Sequence, residues 1–159
     1  MILQTAAERR DLIDASTSIA IVGASANQGR ASYFVFRYLL TRHRFAVSPI
    51  NPSLTSIDGQ QAFPDLFAYA AAKGPPDIVN VFRKPSEALG VTEAAIAIGA
   101  KAIWYQYGVI NEAAIDLADR AGLLVVVDRC LKVETARFNG GLAMGGLNTG
   151  LLTSRRRQS

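Results

Sequence analysis

One stretch limits what this chain can fold into more than any other: Ile19-Ala20-Ile21-Val22-Gly23-Ala24-Ser25-Ala26-Asn27-Gln28-Gly29-Arg30-Ala31-Ser32. A short apolar run stops at a glycine, a small polar loop follows, and a helical pattern begins at Ser32. A strand, a tight turn and a helix N-terminus in that order form the phosphate-holding unit of α/β proteins. Free N–H groups of the first helical turn point at the anion, and the helix dipole favours its charge. Ser25 and Ser32 add hydroxyl donors, and Arg30 adds a guanidinium fork. The dinucleotide fingerprint asks for Gly-x-Gly-x-x-Gly. Gly23 fills its first place, but Ser25 and Gln28 stand in the other two. The loop therefore speaks for a phosphate more firmly than for NAD.

The rest of the chain repeats the alternation. Apolar runs at Ile19–Val22, Phe45–Ile50, Asp77–Phe82, Lys101–Tyr105 and Leu123–Val127 read as strands. Helical spacing covers Thr5–Asp14, Ser32–Arg42, Leu66–Lys73, Ser86–Ile98, Asn111–Ala121 and Leu131–Arg137. Ser86 and Asn111 are the expected N-caps of their helices, and Gly99 and Gly122 the expected stops. Ser53–Ala62 reads as a loop with room for a short edge strand. Strands alternating with helices at this spacing predict βαβ units and a right-handed, doubly wound parallel sheet. One domain is expected over residues 1–138, its core within 18–137. A Gly-rich tail with basic residues at its end follows over 139–159 and is the one segment left without a predicted structure. Its Leu142, Met144, Leu147, Leu151 and Leu152 offer a docking surface, with a second copy of the chain as one partner and a homodimer as the result.

Composition narrows the function classes. The net charge is +4, but Arg155, Arg156 and Arg157 carry much of the excess. The body is near neutral, so no nucleic-acid surface is read into it. Cys130 is the only cysteine and His43 the only histidine. This excludes an intrachain disulfide and multi-His or cysteine-built metal sites, and it weakens a Ser-His-Asp reading. No apolar run reaches the length of a membrane span. Glu8, Asp11 and Asp14 make the first residues unlike a secretory or transit segment, so a cytoplasmic address is expected.

Ligands in open α/β sheets sit beyond the C-terminal ends of the strands, where the strand order reverses. The residues at those ends are the candidates. The second strand ends in Asn51-Pro52, where an NAD enzyme usually places an acid for the ribose; the next acid here is Asp58. Asn51 can bond a ribose or a phosphate ester, or simply make a turn. Phe82-Arg83-Lys84 offers an aromatic face and cations. Arg83 reads as ligand-facing and Lys84 as a solvated loop charge. Gln106 and Gly108 let a thin polar ligand lie close, whereas Trp104 reads as core. Asp128-Arg129-Cys130 could be catalytic, but no histidine is at hand to act as base. Asp128 is expected to cap the last helix or to pair with Arg129. His43, at the end of a helix, is assigned no role.

Taken together, these residues resemble a family. Val22-Gly23-Ala24-Ser25, Arg30-Ala31-Ser32-Tyr33, Pro49-Ile50-Asn51-Pro52, Val81-Phe82-Arg83, Gly99 to Trp104, Gln106-Tyr107-Gly108 and Asp128-Arg129-Cys130 occur in order. They are similar to the small stand-alone CoA-binding proteins and to the N-terminal CoA-binding domain of the succinyl-CoA synthetase α subunit. The resemblance implies a Rossmann-like, doubly wound, mostly parallel sheet with helices on both faces. It implies coenzyme A or an acyl-CoA as ligand, with the phosphates on Gly23, Ala24, Ser25, Arg30 and Ser32. Asn51, Pro52, Phe82 and Arg83 would then frame the adenosine, and Gln106 and Gly108 would lie toward the pantetheine. The chain departs from the resemblance in two ways. It has no ligase domain and no suitably placed phosphorylatable histidine, which reads as binding without catalysis. Ser53-Leu54-Thr55-Ser56 also follows Asn51-Pro52 where relatives often carry a lysine for the 3′-phosphate, so these hydroxyls or Arg83 must serve instead. Two alternatives stay open: an NAD(P)-dependent oxidoreductase, and a redox or regulatory protein that uses Cys130.

Overall fold

The structure is a computed structural model that describes residues 1–42 and 44–138. His43 and the 139–159 tail, with the expectations that fall on them, lie outside the described residues. The first helix, α1 (Ala6–Ala15), starts at a capping box. Thr5 Oγ1 accepts the Glu8 N–H at 3.1 Å, and the Glu8 carboxylate accepts the Thr5 N–H at 3.0 Å. Two orphan amides of the first turn are thereby satisfied. Strand β1 (Ser18–Val22) then enters the interior of the sheet, and α2 (Ala31–Leu40) leads back to β2 (Ala46–Ile50).

After β2 the chain makes a small antiparallel hairpin, β3 (Ser56–Ile57) and β4 (Gln60–Gln61), in a sheet of its own. The Ser53–Ala62 segment was expected to be a loop with a short edge strand; Asp58 (φ 49°) and Gly59 (φ 82°) turn it into two paired ones. Helix α3 (Leu66–Lys73), strand β5 (Ile78–Val81), helix α4 (Ala88–Ala97), strand β6 (Ala102–Tyr105), helix α5 (Glu112–Arg120), strand β7 (Leu124–Val127) and helix α6 (Leu131–Phe138) complete the described chain. The helix expected from Ser86 instead begins with a 3-10 turn over Pro85–Glu87, and Ser86 caps nothing. Proline at the first position of that turn sets its backbone angle. Asn111 caps α5 as expected, its Oδ1 accepting the Ala114 N–H at 3.0 Å.

The five long strands run parallel in the order β2-β1-β5-β6-β7. Chain order leaves β1 in opposite directions, toward β2 and toward β5, so the switch point lies at the end of β1. Side chains alternate between two covered faces. Ile19 and Ile21 pack with Leu12, Ile13, Val35, Phe36, Leu39 and Leu131 on one side. Ala20 and Val22 pack with Tyr69, Ala88, Ala95, Ala114 and Ile115 on the other. The outer strands are not left bare. Phe63 exchanges backbone bonds with Pro49 and Asn51 beside β2, and Leu3 donates to the Val125 carbonyl beside β7 at 2.8 Å. At the strand N-termini, Asp77 Oδ2 accepts the Thr17 and Ser18 N–H groups at 2.8 and 3.2 Å and so ties β5 to β1.

Candidate functional site

The site begins with a close approach of two backbones. Gly23 ends β1 with φ +86°, and its N–H donates to the Ile50 carbonyl at 3.2 Å. A Cβ at this position would collide with the carbonyl oxygen of Phe82 and stand 2.9 Å from its carbon. Glycine is required here twice over, by its φ and by the space. The chain can therefore leave β1 against the end of β5 and open a crevice at the switch point.

The loop that follows is braced from within. Ser25 Oγ accepts the Asn27 N–H at 3.0 Å, and Asn27 Oδ1 accepts the Gly29 N–H at 2.9 Å. Asn51, at the end of β2, donates from Nδ2 to the Ala24 carbonyl at 2.8 Å and accepts the Ser53 N–H on Oδ1 at 2.7 Å. It both makes the turn and holds the loop. Arg30 is the N-cap residue of α2 in extended conformation, and among the described residues no side chain caps that helix. The Tyr33 N–H already donates to the Arg30 carbonyl at 3.1 Å, so the Ala31 and Ser32 N–H groups are the ones left for an external acceptor. Tyr33, one turn in, donates its hydroxyl to Asp58 Oδ2 at 2.8 Å, which ties α2 to the hairpin and raises the phenol's pKa above its ordinary value.

These elements enclose a cleft of about 500 Å³ lined by Gly23, Ala24, Ser25, Arg30, Ala31, Ser32, Asn51, Phe82, Arg83, Lys84 and Glu87. Ser32 is buried at its back, and Phe82 is half-buried at its wall. Arg83 Nη2 lies 2.6 Å from Glu87 Oε1. The 3-10 turn that carries Glu87 is anchored by Asn111, whose Nδ2 donates to the Pro85 carbonyl at 2.9 Å.

Eight of the eleven residues expected from the sequence line this cleft: Gly23, Ala24, Ser25, Arg30, Ser32, Asn51, Phe82 and Arg83. Pro52 is exposed on the turn beyond Asn51 and is not part of the lining. Gln106 and Gly108 also lie outside it, and each has an internal partner. Gln106 is 4% exposed. Its Oε1 accepts the Asn80 Nδ2 and the Leu131 N–H, both at 3.0 Å, so it caps α6 from the end of β6. Gly108 donates its N–H to Asp128 Oδ1 at 2.9 Å. Asp128 was expected to cap α6 or pair with Arg129; the structure gives the cap to Gln106 and the Asp128 carboxylate to Gly108. Trp104 is fully buried as expected, its Nε1 donating to the Arg129 carbonyl at 2.8 Å. Cys130 is half-buried against the core and does not line the cleft. Three lining residues were not among those expected at the site: Ala31, Lys84 and Glu87. Lys84 was expected to be a solvated loop charge, and Glu87 was given no role.

Known proteins agree with this architecture. YneT of Bacillus subtilis (strain 168), an uncharacterized protein, is 33% identical over 130 residues, which span 82% of this chain and 93% of its own length. A hypothetical protein of Pyrococcus horikoshii OT3 superposes with a TM-score of 0.79 at 33% identity, covering 85% of this chain and 92% of that one. A Thermus thermophilus protein does so with a TM-score of 0.77 at 31% identity, covering 85% and 99%. Residues 17–136, nearly all of the described chain and all of the cleft, match the CoA binding domain family, and the chain belongs to it.

Proposed function

We propose that the cleft binds coenzyme A or an acyl-CoA, with the phosphates held by the Gly23–Ser32 loop, and that the chain performs no catalysis of its own. The observation that carries this reading is the uncapped N-terminus of α2, which opens onto a cleft that also holds Arg30, Arg83 and Lys84. Unpaired amides, a helix dipole and three cations in one place suit a pyrophosphate. Phe82 supplies an apolar wall for the adenosine. The lining offers amides, hydroxyls and cations, and its one carboxylate is already engaged with Arg83. That supports binding over proton transfer or nucleophilic attack.

The position of Asn51 supports CoA over a nicotinamide dinucleotide. An amide that holds the loop occupies the place where an acid would grip the ribose. The position of Cys130, outside the lining, gives the redox reading no geometric support. Isothermal titration calorimetry with CoA tests the proposal. Arg30→Ala should weaken binding by about 1–3 kcal/mol, the worth of a charged hydrogen bond to phosphate. No heat of binding by the wild type at millimolar CoA would overturn the reading. Comparing CoA with dephospho-CoA on Arg83→Ala tests whether Arg83 meets the 3′-phosphate; equal losses for both ligands would place that contact elsewhere.

A further inference from the structure

The cleft contains an acid for which a phosphate site has no evident use. Glu87 lines it beside Arg30, Arg83 and Lys84, with Oε1 2.6 Å from Arg83 Nη2. The two side chains are 41% and 40% exposed, so both heads face solvent and whatever enters the cleft. The stem of Arg83 passes close to Gly23. Its Cδ lies 3.1 Å from where a Cβ on Gly23 would stand, directly over the glycine that opens the phosphate loop. Arg83 therefore lies beside the start of the loop, while Glu87 sits on a turn pinned by Asn111. Nη2 is the nitrogen common to both forked edges of a guanidinium, and a carboxylate on it occupies part of the geometry by which arginine grips a phosphate bidentately. A carboxylate and a phosphate on the same nitrogen also repel each other.

We propose that Glu87 sets the affinity of the cleft by competing with the ligand's phosphate for Arg83, so that CoA enters by exchanging one anion for another on that guanidinium. This rests on the CoA reading above and goes beyond it in naming the residue that limits binding. The acid near the start of α4 also has a purely structural explanation, since a carboxylate there is favoured by the helix dipole. The two roles predict different things. A structural acid changes the melting temperature and leaves the CoA dissociation constant alone. A competing acid does the reverse.

The experiment is calorimetric titration of the full chain with CoA for the wild type, Glu87→Gln, Arg83→Ala and the double variant, with a thermal melt of each. Glu87→Gln should bind CoA about three- to tenfold more tightly, the range expected when one partly exposed charge contact is relieved. On the Arg83→Ala background the same change should alter the dissociation constant by less than about twofold, because the contested group is gone. Unchanged or weaker binding by Glu87→Gln would make Glu87 a brace for Arg83 and overturn the proposal. Equal tightening on both backgrounds would make it a through-space repulsion and overturn it as well. Failure of all four proteins to bind CoA removes the CoA reading and the proposal together, whereas good binding with an unmoved Glu87→Gln removes the proposal alone.

Discussion

Replacing Gly23 by alanine tests the physical basis of the cleft. Two costs are separable. The first is conformational: φ is +86°, and an L-residue in the left-handed region loses about 1–2 kcal/mol. The second is steric: the new methyl would collide with the Phe82 carbonyl oxygen and come within 2.9 Å of its carbon. Neither partner can step aside cheaply. Phe82 donates its N–H to the Val22 carbonyl at 2.8 Å, and Gly23 donates to Ile50, so both backbones are locked in the sheet. Forced overpacking of this kind costs about 1–3 kcal/mol. The sum is about 2–5 kcal/mol, or a fall in melting temperature of roughly 5–15 °C for a domain of this size. Gly122 supplies the control. Its φ is +90°, and a Cβ there would meet nothing within 4 Å, so Gly122→Ala carries the conformational cost alone. Urea unfolding of both variants gives the steric part by difference. If Gly23→Ala destabilised the protein no more than Gly122→Ala, the close approach of β1 and β5 would not be what demands glycine, and the account of the cleft's floor would fail.

Two further predictions concern the frame that holds the cleft. Arg9 and Glu134 are 1% and 3% exposed and join α1 to α6 through Nε and Oε1 at 2.5 Å, so Glu134→Gln should cost about 3–5 kcal/mol by leaving a buried guanidinium uncompensated. Arg9→Met with Glu134→Leu should recover most of that loss in urea melts, and a single variant as stable as the wild type would refute the pairing. Burial pushes the Asp77 carboxyl up, but hydrogen bonds from the Thr17 N–H, Lys101 and the Ser18 N–H outweigh it and hold its pKa below the ordinary value. Its stabilisation is therefore complete above the unfolded-state pKa of about 3.9 and is lost as pH falls through the lower folded-state value. Asp77→Asn should be less stable than the wild type at neutral pH, with the gap closing at acid pH; a gap independent of pH would refute it.

The sequence carried the fold because period and punctuation agreed along its length. All five sheet strands lie within or close to their apolar runs, and Asn111 caps the helix it was expected to cap. Where the reading failed, a local rule yielded to one that a single sequence does not show. Ser86 has the chemistry of an N-cap, but Pro85 set up a 3-10 turn first. The Thr5-Ala6-Ala7-Glu8 capping box that starts α1 went unread, although its spacing carries the signal. The Gly23–Ser32 loop was legible as a wall of the cleft because its glycine and its helix start are adjacent in the chain. Glu87 was not, because its meaning depends on Arg83 reaching it across a turn whose shape the proline decides.

Gln106 shows the limit of reading strand ends. Polar residues at the C-terminal edge of a parallel sheet are the natural candidates for ligand contact, and Gln106, Gly108 and Asp128 all stand there. That edge has a second demand on polar groups. Each helix that starts just beyond a strand has free N–H groups, and each buried polar side chain beneath needs a partner. At β1 the helix start is left open, and Arg30, Ser32 and the α2 amides face the cleft. After β6 and β7 the helix starts are closed from inside: Asn111 caps α5, and Gln106 caps α6 while accepting from Asn80 Nδ2, and Asp128 takes the Gly108 loop amide. The two ends of the sheet look alike in sequence, since both are apolar runs that stop at glycine and polar residues. Whether a neighbouring strand has supplied the cap decides which of them is left open to the cleft, and that depends on the order β2-β1-β5-β6-β7 rather than on either segment alone.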